Sequence, residues 1–153
     1  MKFTTDRVDR AILRELRKEG RITLADLSER VGLSPTPCKR RVQRLEESGL
    51  ISDYVARIDR SVAGFGITAF VSVELERQDA EEVSRFQREV ARFEEIVTGR
   101  LMTGGMDFML EVAVESLEEF ESFLQSRLLK IGGIRAVRSR FALKTFIDRE
   151  RLP

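Results

Sequence analysis

At 153 residues, 42% hydrophobic and 35% charged, the chain has the composition of one ordinary folded domain or two small ones, which excludes intrinsic disorder. Its formal charge of +1 is unevenly spread: residues 1–60 hold 14 basic against 10 acidic side chains, and residues 61–153 hold 13 against 16. No run approaches the roughly 18–20 apolar residues of a membrane span, Cys38 is the one cysteine, and histidine, the commonest general base and metal ligand, is absent.

The opening Met1-Lys2-Phe3-Thr4-Thr5-Asp6 lacks the apolar stretch of a secretory signal, so the expectation is a cytoplasmic protein. Thr5-Asp6 then starts a helical pattern with Val8, Ile12, Leu13 and Leu16 on one face, ending at Gly20 after Lys18. Thr23 caps a second helix with Asp26 three residues on, and Leu24, Leu27 and Val31 form its buried stripe. Gly32 permits a sharp reversal. Ser34 caps a third helix with Pro35 in its first position, running to Glu47 and stopped by Ser48-Gly49. Helix, tight glycine turn, helix is a helix-turn-helix.

Successive residues of a helix are rotated by about 100°, so Cys38, Val42 and Leu45 point inward together while Thr36, Arg40 and Gln43 face out, flanked by Lys39 and Arg44. Arg41 lies at the boundary, within reach of an acid such as Glu46. A basic, amide-bearing face with no acid between Ser34 and Gln43 suits the major groove of DNA. Residues near the start of such a helix reach base edges and later cations meet phosphates, so Thr36, Lys39, Arg40 and Gln43 are assigned to bases and Ser34 and Arg44 to phosphate. Cys38, without a second Cys or His, is core rather than a metal ligand. The DNA-binding domain is placed at residues 1–52. Residues 50–58 then read as extended chain, a wing strand or a linker strand; the linker is placed at 53–64, ending at Gly64-Phe65-Gly66.

In the second half Ile67–Leu75 alternates as a strand, Asp79–Phe93 is helical, and Ile96–Thr103 and Met106–Val114 are strands joined at Gly104-Gly105. Leu117–Leu129 is a helix, and Gly132-Gly133 precedes a last strand over Ile134–Ile147. The order βαββαβ predicts a ferredoxin-like domain over 65–153 and an α+β protein overall. Such a sheet leaves one face open, and Phe70, Phe141 and Phe146 are candidates for pairing that face with a second copy.

The runs Leu27-Ser28-Glu29-Arg30-Val31-Gly32-Leu33-Ser34-Pro35-Thr36-Pro37-Cys38, Arg41-Val42-Gln43-Arg44-Leu45-Glu46 and Gly49-Leu50-Ile51 closely resemble the Lrp/AsnC, or feast/famine, transcriptional regulators, as does Asp9-x-x-Ile12-Leu13-x-x-Leu16. The second half resembles the family more loosely. The resemblance implies a winged helix-turn-helix that binds double-stranded DNA sequence-specifically. It also implies a ferredoxin-like effector domain forming a homodimer, assembled into a higher homo-oligomer such as an octamer. No enzymatic activity, cofactor, metal or membrane association is implied. An amino acid binds between dimers in the family, near the loop joining the second and third strands. The matching residues are Thr103, Gly104, Gly105, Met106 and Asp107, with Leu129 and Phe141 aligned to apolar residues of the pocket. Many relatives carry an acidic or polar residue where Gly105 stands and an aromatic at Met106. On spacing alone the segment is a hairpin turn with an exposed aspartate; as an effector loop, its glycines would offer N–H groups to a carboxylate and Asp107 would accept from an ammonium. The alternative to an effector-responsive regulator is an architectural DNA-compacting protein without a small-molecule effector.

Overall fold

Four of the five α-helices in the computed structural model, which describes residues 4–147, begin where a short polar side chain accepts a backbone N–H. The chain separates into two compact units, one reaching Arg57 and the other spanning Ile58–Phe146.

In the first unit, α1 (Arg7–Lys18) is capped reciprocally: Asp6 Oδ1 accepts the Asp9 N–H at 2.8 Å and Asp9 Oδ2 accepts the Asp6 N–H at 3.1 Å. At α2 (Leu24–Arg30) only half of the expected box forms. Thr23 Oγ1 accepts the Asp26 N–H at 3.1 Å, and its hydroxyl donates back to the Asp26 carboxylate at 2.6 Å. Gly32, at φ +70°, then lets Leu33 N–H reach Ser28 O at 2.9 Å and Gly32 N–H reach Glu29 O at 3.1 Å, the paired bonds of a Schellman cap. The end of α3 (Pro35–Glu47) repeats the device: Gly49 sits at φ +74°, with Leu50 N–H on Leu45 O and Gly49 N–H on Glu46 O. Ile12, Leu13, Leu27, Cys38 and Leu45 form the core, against which Val8, Leu16, Ile22, Val31 and Val42 pack. Leu24, expected inside, is exposed at the open start of α2, and buried Ser28 takes a place in the interior with its hydroxyl bonded to Ala25 O.

The expected linker strand at 53–64 does not form. A strand needs a ladder partner for its backbone groups, and none of the described strands pairs with this segment. Its apolar side chains lie in solvent, Val55 at 81% exposure. Past Arg57 the chain turns around Asp59, whose Oδ1 accepts from the Ser61 and Val62 N–H groups.

The second unit holds β1 (Ile67–Leu75), α4 (Ala80–Val90), β2 (Ile96–Leu101), β3 (Phe108–Val114), α5 (Leu117–Ser126), a 3₁₀ turn (Leu128–Lys130) and β4 (Ile134–Phe141). The strands form one antiparallel sheet in the order β2-β3-β1-β4, the ferredoxin-like arrangement anticipated from element order. Ala69, Val71, Val73 and Leu75 of β1 and Phe108, Leu110, Val112 and Val114 of β3 are buried in one cluster with Phe86 and Val90 of α4 and Phe120 and Phe123 of α5. Several ends fall short of the expected ranges for local reasons. β4 stops at Phe141 rather than Ile147 because its partner β1 begins at Ile67; the Ala142 N–H to Thr68 O bond of 2.9 Å lies just past the strand. α5 stops at Ser126 rather than Leu129, where Arg127 leaves helical geometry, stacks on the Phe93 ring at 4.5 Å and pairs with Glu95. Residues 1–3 and 148–153 of the expected domains lie outside the described residues.

Register also separates the proposed face-pairing phenylalanines. Phe70 lies across from Arg140, and Phe141 lies across from Ala69. Strand side chains alternate, so Phe141 shares the face of buried Ala69 and meets the Phe120 ring edge-on at 5.0 Å. Only Phe70 of these two faces the side away from the helices. Phe146 lies beyond β4, 85% exposed.

Candidate nucleic-acid interface and ligand loop

On α3 the outward set is where helical periodicity places it. Thr36, Lys39, Arg40, Gln43 and Arg44 are all exposed, while Cys38 and Leu45 on the opposite side are fully buried. Burial in that apolar setting pushes the Cys38 thiol up from its ordinary value. Ser34 occupies the cap position, yet its side chain makes no capping bond. The reason is in the sequence: the third helical residue, which would donate to it, is Pro37. With Pro35 also lacking an N–H, Thr36 has the one amide N–H in the first three positions, which thins the amide array expected there but leaves the Ser34 hydroxyl exposed and uncommitted to a cap.

Arg41, and Arg44 despite its exposure, turn toward α1. Arg41 does not pair with Glu46; its Nη1 donates to Asp6 Oδ2 at 2.6 Å and to Asp9 Oδ1 at 2.8 Å. Arg44, expected at a phosphate, donates through Nη2 to Asp9 Oδ2 at 2.6 Å. Asp9 is 0% exposed. The N–H of Asp9, and then the Arg41 guanidinium, hold the Asp6 carboxyl below its usual range, while the Asp6 and then the Asp9 carboxylate raise Arg41. Glu46 instead accepts the Tyr54 hydroxyl at 2.8 Å; burial first, and then this bond, push the phenol up to about 12. The Asp6–Asp9 capping box is a local device, but the second use of Asp9, as a receptor for arginines more than 30 residues away, leaves no local trace in the sequence.

In the second unit Thr103, Gly104 and Gly105 form an exposed loop between β2 and β3, Gly104 at φ +111°. Asp107 is not the exposed aspartate expected there. It is buried: Oδ2 accepts the Leu75 N–H at 2.7 Å, its N–H donates to Val73 O at 3.0 Å, and its carbonyl accepts the Met102 N–H at 2.8 Å. Its first role is thus to fasten the loop to β1, which is also why β2 ends at Leu101 and β3 starts at Phe108. Met106 beside it is half-buried. Leu129 is exposed in the 3₁₀ turn, which leads within a few residues to Ile134, opposite Leu75 and so at the loop's end of the sheet. Phe141 is exposed at the other end, opposite Ala69. Six residues of strand separate these ends, about 20 Å at 3.3 Å per residue. One chain therefore does not bring Phe141 to the loop.

A cleft of about 350 Å³ lies instead beside α4 and α5, lined by Arg85, Glu89, Phe93, Arg127 and Lys130 among others, and includes none of residues 103–107. Among the described residues no cluster of acidic, cysteine or histidine side chains could hold a metal, and no helix is long and apolar enough to cross a membrane.

Comparison with known proteins matches both units. The family model for a winged helix-turn-helix DNA-binding domain matches residues 5–52, and that for an Lrp/AsnC ligand binding domain matches residues 68–152. The chain is 40% identical over 148 residues to a Bkd operon transcriptional regulator of Pseudomonas aeruginosa, covering 97% of each chain. An AsnC family transcriptional regulator from Agrobacterium tumefaciens superposes with a TM-score of 0.92 at 38% identity, covering 97% of both chains. A transcriptional regulator of Neisseria meningitidis, solved as a complex with L-Met, also gives 0.92, at 33% identity over 98% of this chain and 97% of its own.

Proposed function

We propose how this chain, which belongs to the Lrp/AsnC family of transcriptional regulators, divides its work between its two units. The first unit places α3 in the major groove of double-stranded DNA. Thr36, Lys39, Arg40 and Gln43 meet base edges, and the Ser34 hydroxyl meets a phosphate. The observation that carries this reading is the exposure of Thr36, Arg40 and Gln43 on the side of α3 opposite buried Cys38 and Leu45. Arg44, tied to Asp9, is left out of the contact set.

The second unit binds an amino acid at the 103–107 loop, between copies of the protein. Because Phe141 lies at the far end of its own sheet from that loop, a pocket containing both takes Phe141 from another copy. The loop glycines hold the ligand carboxylate, and Asp107 offers the carboxylate oxygen that Leu75 does not take. The working protein is at least a homodimer, which the exposed apolar Val55, Ile58 and Phe146 support. An amino acid bound between copies favours one assembly, and that assembly sets the spacing of the helix-turn-helix units on DNA.

The test of the DNA reading is Arg40→Ala on an operator selected from random duplex by the wild-type protein. Operator binding should weaken by about 1–3 kcal/mol, and binding to random duplex by much less. Equal affinities of wild type and variant for the operator would remove Arg40 from the interface. Uniform wild-type footprints over operator and random duplex would favour the architectural role instead.

A further inference from the structure

Four charged groups meet where the start of α1 touches the flank of α3. Asp9 contributes both carboxylate oxygens from a fully buried position: Oδ1 to Arg41, Oδ2 to Arg44 and to the Asp6 N–H. Asp6 Oδ2 adds a second hold on Arg41. Two carboxylates and two guanidiniums cancel. α3 carries four cations, Lys39, Arg40, Arg41 and Arg44, so half of them are neutralised by α1. Arg44 is nonetheless 51% exposed, and Arg41 29%, so both lie at the surface from which phosphates would draw them.

Every cation that reaches a phosphate strengthens operator and random DNA alike, because phosphates carry no sequence. Withholding phosphate contacts therefore lowers the electrostatic, salt-sensitive share of the affinity for any duplex and leaves base readout untouched. We propose that Asp9 is a positioning residue for DNA binding, holding Arg41 and Arg44 against α1 so that α3 meets DNA through Lys39 and Arg40 rather than through all four of its cations. The inference rests on the placement of α3 in DNA given above. It assigns the Asp9 carboxylate a role in setting how many phosphates α3 engages, beyond capping α1.

The experiment measures affinity for random duplex and for the selected operator against salt concentration, using the full chain. In Asp9→Asn, Arg44 loses its carboxylate anchor on α1 and turns to a phosphate, so the slope of log affinity against log salt steepens by about 0.9. That corresponds to an additional loss of about 3.5-fold between 50 and 200 mM salt, seen on operator and random duplex alike. A distant loss of negative charge would also raise affinity, so Arg44→Gln is made in both backgrounds. If the clamp is real, Arg44→Gln removes the added slope in the Asp9→Asn protein and takes away less than half as much in the wild type. A merely structural Asp9 would lower both affinities together and leave the slope unchanged.

Burying an amide against two guanidiniums could unfold the unit, which circular dichroism reports. The same cycle is then run with Asp6→Asn and Arg41→Gln, since Asp6 is half-exposed and Asn caps a helix as well as Asp. An unchanged or shallower slope in the folded carboxylate variant, or additive effects in the cycle, overturns the clamp. Should the wild type show no salt-dependent duplex binding, or should Lys39→Gln and Arg40→Gln leave its slope unaltered, the DNA placement itself fails and the clamp with it.

Discussion

Asp107 shows how one carboxylate can be read in two ways. In sequence it follows two glycines and invites a ligand ammonium; in the folded unit Oδ2 is occupied by the Leu75 N–H, in a buried setting. Removing an acceptor from a buried donor costs about 1–3 kcal/mol. Asp107→Ala should therefore lower the stability measured by urea titration by that amount in the absence of any effector, while Asp107→Asn, which keeps a carbonyl oxygen, should lose less than half of it. Loss of effector response in the alanine variant would consequently report the loop's anchoring as well as ligand contact; the asparagine variant separates the two. If alanine left the urea midpoint unchanged, the Leu75 bond would not be holding the loop. Asp9 belongs to the same category: a residue that closes a local helix cap and whose further partners, Arg41 and Arg44, come from a helix more than 30 residues away.

The elements themselves were largely legible. The range of β1 matches its alternation end to end, and Asp6, Thr23, Asp79 and Ser116 cap helices as short polar residues before apolar periodicity should. The turn of the helix-turn-helix depends on Gly32 at φ +70°, a conformation in which a Cβ crowds the following carbonyl by about 1–2 kcal/mol. Nothing lies within 4 Å of a Cβ placed at Gly32, so Gly32→Ala should destabilise the first unit by about that backbone strain with no added clash. Guanidinium chloride denaturation followed by circular dichroism measures it, and a value near zero would mean that the turn adopts another conformation. Ser34 marks the opposite outcome: a correct cap position without the capping bond, because Pro37 has no N–H to give. Ends of elements were less legible where another element decides them, as at β4, which ends with its partner β1, and at α5, which ends where Arg127 finds Phe93 and Glu95.

At the scale of the whole molecule, the proposed pocket takes the 103–107 loop from one copy and Phe141 from another, which would make ligand binding and assembly a single equilibrium. A ligand present at 100 times its Kd and bound to the folded state stabilises it by about 2.7 kcal/mol. A thermal-shift screen of the twenty amino acids should therefore reveal at least one that raises Tm by several degrees, and the same amino acid should change the molecular mass distribution in sedimentation. A rise in Tm with no change in mass would place the ligand within one copy. A flat screen would favour a regulator without an effector, and with it the architectural role.

What the amino-acid order alone determined is local: helical and strand periodicity, glycine stops, polar starts, and hence a helix-turn-helix followed by βαββαβ, because hydrophobic spacing and capping act over a few residues. Family resemblance supplied the expected partners of those elements. Only the tertiary structure decided which arginines of α3 face α1, that Asp107 is buried beneath its loop, and that Phe70 and Phe141 lie on opposite faces of the sheet. Those outcomes depend on strand register and on the packing of segments remote in the chain, where a shift of one residue reverses which side chain meets which.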